Sequence, residues 1–276
     1  MGIYDQPNSW QCGPFALKHG LLAHGVFVHE EDITTVAGTT ETDGTDDRQL
    51  MRAALAFGGV LQCRRYRTPF GARRVLAQLL AAEIPVLLCV DQWDHWVTAV
   101  NADAEHVVVL DSHYDTVVHL EPWGPFVRRI AYRDPRGSWL HRLPVYDLHP
   151  LSVRGETGLR MALTPPRARR LLEAPAEVRG ALDTYAQRLA PFAARNGRGN
   201  GAVALAPWLA ALQRDLAAET GAGTVESFAL AAEVFGIRCD AAGLREVARL
   251  VRDNGRAPAT AVPYQREHPR TLAVAS

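Results

Sequence analysis

The sequence predicts an α+β fold, with leading helices packed on an antiparallel sheet and an additional all-α region at the C-terminal end. Three observations predict it. Apolar residues recur at helical spacing up to residue 82. Short apolar, β-branched runs then crowd into residues 85–120. Helical periodicity returns after about residue 160. Helices first and strands after them give segregated layers rather than a βαβ alternation.

The elements follow in order. Gly13-Pro14 precedes Phe15, Ala16, Leu17, Leu21 and Leu22, so a helix starts just after Cys12 and stops near Gly25. Proline suits a first helical turn, where its missing N–H costs nothing. Thr39–Asp47 is polar and holds Gly44, which reads as a loop. Asp46 with Gln49 three residues on has the pattern of a capping box. The helix it opens carries Leu50, Met51, Ala54 and Leu55 and ends at Gly58-Gly59. A third helix runs from Phe70 to Ala82 with Val75, Leu76, Leu79 and Leu80 as its buried stripe. Pro85–Val90 is continuously apolar, as a strand buried on both faces is. Trp96–Val100, Val107–Leu110 and Thr116–Leu120 follow as strands. Leu140–Arg154, rich in Pro, His and Arg, reads as a connector. Beyond it, Val178–Leu189, Leu205–Leu216 and Leu244–Leu250 keep a 3.6-residue period. The division expected is a domain over residues 1–150 and a helical one over 160–276.

Bulk properties exclude several classes. Thirty acidic and thirty basic side chains cancel, so neither nucleic acid nor an anionic membrane is an expected partner. No run is long and apolar enough to span a bilayer, and the N-terminus lacks the pattern of a secretion signal. Four cysteines, at 12, 63, 89 and 239, are too sparse for a disulfide framework and fit a reducing, cytoplasmic setting. Cys63 and Cys89 read as inert packing residues. Without a CxxC pair no structural zinc is expected, and no metal or cofactor is predicted. Asp43-Gly44-Thr45-Asp46-Asp47 lacks the spacing of a calcium loop. Arg128, Arg129, Arg133, Arg136 and Arg142 read as a solvated basic face.

Three short motifs carry chemistry. In Gln6-Pro7-Asn8-Ser9-Trp10-Gln11-Cys12-Gly13-Pro14, the cysteine sits in the first turn of a helix, where the dipole favours a thiolate. Gly13 permits close backbone approach. Gln6 can aim an amide at the same point as the Cys12 backbone N–H, forming an oxyanion hole. In Asp94-His95-Trp96-Val97, His95 heads an apolar strand and can serve as the base a thiol nucleophile needs. In Val107-Val108-Val109-Leu110-Asp111, the carboxylate ends the next strand and can orient His95. Asp115 and Asp134 are the alternatives for that role. Trp10 and Trp96 are candidate substrate-binding residues beside this set.

In order and spacing these motifs resemble the C39-like peptidases, a family of papain-like cysteine proteases related to the leader-cleaving domains of bacterial bacteriocin exporters. The residues that carry the resemblance are Gln6, Cys12-Gly13-Pro14, Leu17, Gly44-Thr45, Ile84-Pro85-Val86-Leu87-Leu88, His95-Trp96-Val97 and Leu110-Asp111, over about residues 4–120. The resemblance implies a papain-like fold with Cys12 as nucleophile, His95 as base, Asp111 as third member and Gln6 as oxyanion donor. The exporters continue into membrane spans and an ATPase, which this sequence does not contain, and the helical region after residue 160 matches no family member. The expected activity is hydrolysis of a peptide or amide bond in a peptide or protein substrate. The alternatives are acyl transfer or deamidation by the same acyl-enzyme, and a non-catalytic peptide-binding module. The C-terminal helices are candidates for partner or dimer contact.

Overall fold

The computed structural model describes residues 3, 5–26, 28–114, 116–133, 143–154, 159–173, 203–204 and 238–239. The helices are α1 (Cys12–Ala23), α2 (Glu30–Ala37), α3 (Asp47–Ala56), α4 (Pro69–Ala81), α5 (Trp123–Arg129) and α6 (Pro165–Glu173). The strands are β1 (Gly59–Leu61), β2 (Arg64–Tyr66), β3 (Val86–Val90), β4 (His95–Ala102), β5 (His106–Leu110), β6 (Val118–Pro122), β7 (Tyr146–Val153), β8 (Leu159–Arg160), β9 (Val203–Ala204) and β10 (Arg238–Cys239). Seven strands form one antiparallel sheet in the order β1-β7-β3-β4-β5-β6, with β2 also on β7. The α+β class with helices on an antiparallel sheet is thus the observed one.

Alternation along the strands decides which helix covers which face. Leu87, Cys89, Trp96 and Leu151 join Ala16, Leu17, Leu21, Ile33, Leu50 and Ala53 in a core under α1, α2 and α3. Val86, Leu88, Val90, Val97 and Ala99 point the other way, onto Leu76, Leu80, Phe126 and Ile130 of the α4–α5 side. The sheet is therefore covered on both faces, with α4 opposite α1. This is why Val86–Val90 is apolar at every position. Two side chains stitch α1 to the sheet. Gly20 leaves room for Leu87 and Leu151, where a Cβ would lie 3.0 and 2.9 Å from their methyls. Thr98 Oγ1 donates to Ala16 O at 2.6 Å.

Local signals set the helix ends. Asp46 Oδ1 accepts from Gln49 N, and Gln49 Oε1 accepts from Asp46 N, both at 2.7 Å, completing the capping box that opens α3. Thr68 caps α4, whose first residue is Pro69. Helix α2, which the apolar periodicity does not mark, has Glu30, Glu31 and Asp32 in its first turn and Gly38 at φ 71° as its left-handed stop.

The connector expected over Leu140–Arg154 is corrected by β7. Tyr146–Val153 runs through the sheet between β1 and β3, buried at Tyr146–Leu151, although Pro150 and His149 disguise it. The helices expected over Val178–Leu189, Leu205–Leu216 and Leu244–Leu250 lie outside the described residues. The residues described from 159 onward include α6, in contact with β5 and β6, and a three-stranded sheet in which β8 pairs with β10 and β10 with β9; the strands β9 and β10 fall in the region expected to be helical. Among the described residues no helix is long and apolar enough to cross a membrane.

Candidate active site

Cys12 is the first residue of α1, and the turn before it is built by Asn8. Asn8 Oδ1 accepts from Trp10 N at 3.3 Å and Gln11 N at 3.1 Å. Gln11 is held by Asn8 Nδ2 at 2.8 Å and by Thr34 Oγ1 at 3.3 Å. These bonds fix where the helix begins. The backbone N–H groups of a first turn have no intrahelical acceptor, so they face whatever approaches the sulfur. Cys12 is buried, at 7% exposure.

His95 begins β4 and Asp111 follows β5. His95 Nε2 and Asp111 Oδ1 are 2.6 Å apart. With Nε2 engaged by Asp111, Nδ1 is the free ring nitrogen of His95, and Cys12 is near enough to contribute to the charge state of the ring. Asp111 is fully buried, and its Oδ1 also accepts from His113 N at 3.1 Å. Its other oxygen, Oδ2, accepts from Arg129 Nη2 at 2.8 Å. Arg129 spends its remaining donors on Glu121 Oε1 at 2.6 Å and Asp91 Oδ2 at 3.0 Å.

These contacts set the charge states. Burial works against a charged His95, but the bond to Asp111, the nearby Cys12 and the carboxylate charge outweigh it and lift His95 to about 9. Burial likewise opposes an ionised Asp111, yet its bonds to His95 and Arg129 hold it well below the usual carboxylate range. An imidazolium on an ionised carboxylate is therefore the resting pair at neutral pH.

The turn that delivers His95 is strained and clamped. Asp91, Gln92 and Trp93 have φ of 55°, 64° and 67°. Such left-handed residues cost roughly 1–2 kcal/mol each without compensation. Compensation comes from the end of α5 and the residues after it. Asp91 N donates to Arg129 O at 3.0 Å, Gln92 Nε2 to Ala131 O at 3.3 Å, and Arg133 N to Gln92 Oε1 at 3.1 Å. Trp93 stacks on Tyr132 at 3.9 Å. Arg129 thus braces both the turn before His95 and the carboxylate behind it.

Of the residues singled out in the sequence, His95 and Asp111 are in direct contact, Cys12 lies near His95, and the others are used differently. Gln6 Nε2 donates to Asn8 O at 2.6 Å, and Gln6 Oε1 accepts from Ser112 Oγ at 2.7 Å, so one amide hydrogen is already spent. Gly13 makes room for protein rather than substrate, since a Cβ there would lie 2.8 Å from Thr45 Cβ. Trp96 packs in the core at 7% exposure, with its indole N–H on Thr45 O at 2.9 Å, and does not line an open cleft. Trp10 is half-buried beside the Asn8 turn. Asp115 and Asp134 lie outside the described residues. Two exposed aromatics stand beside His95: Trp93, two residues before it, and Tyr114, which packs on His113, whose ring lies 5.6 Å from that of His95. Arg129, expected on a solvated face, is instead largely buried at 19% side-chain exposure. Cys63, expected to be packing, is exposed, while Cys89 is buried. A separate group of Asp47, Cys63 and His149 has the donor types of a metal site.

No family model matches the sequence, and no curated protein matches it. Solved structures similar to this chain are C39 peptidase domains. One is a double glycine motif protease from an AMS/PCAT transporter, solved with its leader peptide, at 16% identity and a TM-score of 0.39 over 54% of this chain and 90% of that one. Another is the peptidase domain of Streptococcus ComA, at 13% and 0.39 over 53% and 96%. A third is a C39-like peptidase from Bacillus anthracis, at 12% and 0.40 over 54% and 92%. The likeness covers about half of this chain.

Proposed function

We propose that this protein is a cysteine peptidase that cleaves a peptide or amide bond through a thioester on Cys12. The observation that carries the reading is that His95, at the start of β4, is hydrogen-bonded at 2.6 Å to the buried Asp111 carboxylate and lies close enough to Cys12, at the start of α1, for the two to influence each other's charge. A thiol at a helix start needs a neighbouring base and a group that orients the base, and the His95–Asp111 pair supports assigning those roles to it.

In this reading the Cys12 proton resides on His95 Nδ1, and the sulfur attacks the substrate carbonyl carbon as a thiolate, forming a C–S bond as the carbonyl π bond breaks and places charge on the oxygen. The Cys12 backbone N–H and the remaining amide hydrogen of Gln6 receive that charge. His95 Nδ1 gives its proton to the leaving amine as the C–N bond breaks. The same nitrogen then takes a proton from water, which attacks the thioester and frees the acid and the thiol. Asp111 keeps its negative charge throughout, holding Nε2–H in place.

The test is mass spectrometry of a peptide library incubated with the wild type, Cys12→Ala and His95→Ala. Cleavage products that appear only with the wild type support the reading. New amide linkages without cleavage mean acyl transfer, loss of ammonia from Gln side chains means deamidation, and binding without any product means a peptide-binding module.

A further inference from the structure

The group formed by Asp47, Cys63 and His149 has no part in the chemistry above, and its position follows from strand register. Strands β1 and β2 both pair with β7: Leu61 opposes Leu151 and Arg64 opposes Leu148. Carrying that register across the gap sets Cys63 opposite His149. On its other side His149 opposes Leu87, which lies in the core under α1–α3. Cross-strand neighbours share a face, so His149 and Cys63 point toward the helices, where Asp47 begins α3. One carboxylate oxygen, one sulfur and one imidazole nitrogen lie within 4.8 Å of one another there.

The state of His149 makes this more than proximity. It is 2% exposed, with the Trp96 ring edge-on at 5.1 Å, and neither ring nitrogen has a hydrogen-bond partner. Leaving a buried polar group unpaired costs about 1–3 kcal/mol. Cys63 is a free, exposed thiol on the solvent side of the group. The nearby cation, Arg65, is already engaged by both oxygens of Asp147, at 2.8 and 2.6 Å.

We infer that Asp47, Cys63 and His149 bind a single divalent transition-metal ion of the zinc class. Donors about 2.0–2.3 Å from a tetrahedral ion stand roughly 3.3–3.7 Å apart, so atoms within 4.8 Å of one another need to close by about 1.5 Å at most. Thiolate, imidazole and one carboxylate suit zinc, whereas calcium and magnesium require oxygen shells. Three protein ligands leave a fourth position on the exposed Cys63 side for water. The thiolate and Asp47 balance the two positive charges, and binding displaces the Cys63 proton to solvent. The ion joins the β1–β2 turn, β7 and the first residue of α3. Two residues before Asp47, Thr45 packs on Gly13 and accepts from Trp96, which are the neighbours of Cys12 and His95. The metal is thus a clip behind the candidate active site, outside its chemistry.

The test uses the full chain and does not depend on peptidase activity. Wild type, Cys63→Ser, Asp47→Asn and Cys12→Ser are loaded with zinc, desalted and assayed for metal content, and titrated with cobalt. The expected result is one equivalent of zinc and a near-ultraviolet thiolate-to-cobalt band in the wild type and in Cys12→Ser. Both signals are lost in Cys63→Ser. Asp47→Asn weakens binding by more than the roughly 10–100-fold that changes in outer-shell partners cost. Zinc raises the melting temperature of the wild type and not of Cys63→Ser, whose exposed position leaves folding intact by circular dichroism. Absence of stoichiometric metal, a cobalt band that survives in Cys63→Ser, or a band lost only in Cys12→Ser would overturn the inference.

Discussion

Arg129 and Asp111 meet through the one carboxylate oxygen that His95 does not use. Arg129 Nη2 lies 2.8 Å from Asp111 Oδ2, while His95 Nε2 lies 2.6 Å from Oδ1. The two oxygens have separate duties, so the guanidinium fixes the plane of the carboxylate without competing for the imidazole. Because Arg129 also holds Asp91 in the strained turn before His95, it locates the base from two directions. Arg129 is a positioning residue.

Replacing Arg129 with Met leaves Glu121 and the Oδ2 side of Asp111 without their cation. Breaking a buried pair from one side costs about 3–5 kcal/mol, so the urea midpoint falls sharply. Arg129→Lys keeps the charge but loses the fork and gives an intermediate loss. In steady-state assays of Arg129→Lys the expected change is a lower kcat with KM nearly unaltered. An unchanged kcat would mean the bracing is structural only.

The charge on His95 gives a pH profile. Its proton is held up to about 9, so the imidazolium needed to protonate the leaving amine persists through neutral pH and is lost as pH rises through that value. Activity therefore has an alkaline limb near 9. Asp111→Asn removes the bond and charge that raise His95, and the limb moves to lower pH as kcat falls. Stability follows the same sign. The contribution of His95 is fully present below its unfolded value near 6.5 and disappears as pH rises through about 9. Rate–pH and urea–pH curves of wild type and Asp111→Asn measure both.

His19 acts in the opposite direction. It is fully buried in α1 with neither ring nitrogen hydrogen-bonded, and burial, aided by the charge of Lys18, pushes it down to about 3. The unfolded chain takes up this proton near pH 6.5 while the folded chain refuses it. Its effect on stability is nil above 6.5 and grows unfavourable as pH falls from there toward 3. A His19→Met variant should lose less stability between pH 7 and pH 5 than the wild type in urea titrations. Parallel curves would contradict this.

Gly13 and Asp46 test the support beneath Cys12. A methyl at position 13 would meet Thr45 Cβ at 2.8 Å, and overpacking of this kind costs about 1–3 kcal/mol. Gly13→Ala should lower both the melting temperature and turnover, because it shifts the residue after Cys12. Asp46→Ala, which opens the capping box, should cost about 1 kcal/mol with a smaller effect on turnover.

Local chemistry made much of this legible. Pro14 after Cys12, the Asp46–Gln49 pair and the wholly apolar Val86–Val90 each state their structure within a few residues. Strand β7 was not legible because His149 and Pro150 interrupt its apolar pattern, and its burial depends on β1, β2 and β3 closing around it. The meeting of His95 with Asp111 could be read because the two stand at the ends of neighbouring strands, and Cys12 drew notice as the first residue of a helix. Arg129 could not be picked out, since nothing separates it from four neighbouring arginines until Asp91, Asp111 and Glu121 converge on it. The Asp47–Cys63–His149 group is equally silent in the sequence, being created by register alone.

The most direct measurement is the rate of alkylation of each cysteine, followed by mass spectrometry of metal-free protein with a peptide vinyl sulfone. Cys63 is exposed, but burial of its sulfur and nearby carboxylates push its thiol up to about 11, so exposure and activation point to different residues. Cys12 should be modified first, although it is only 7% exposed, and His95→Ala should slow that reaction while leaving Cys63 unchanged. Labelling of Cys63 ahead of Cys12, or a Cys12 rate indifferent to His95, would contradict the account.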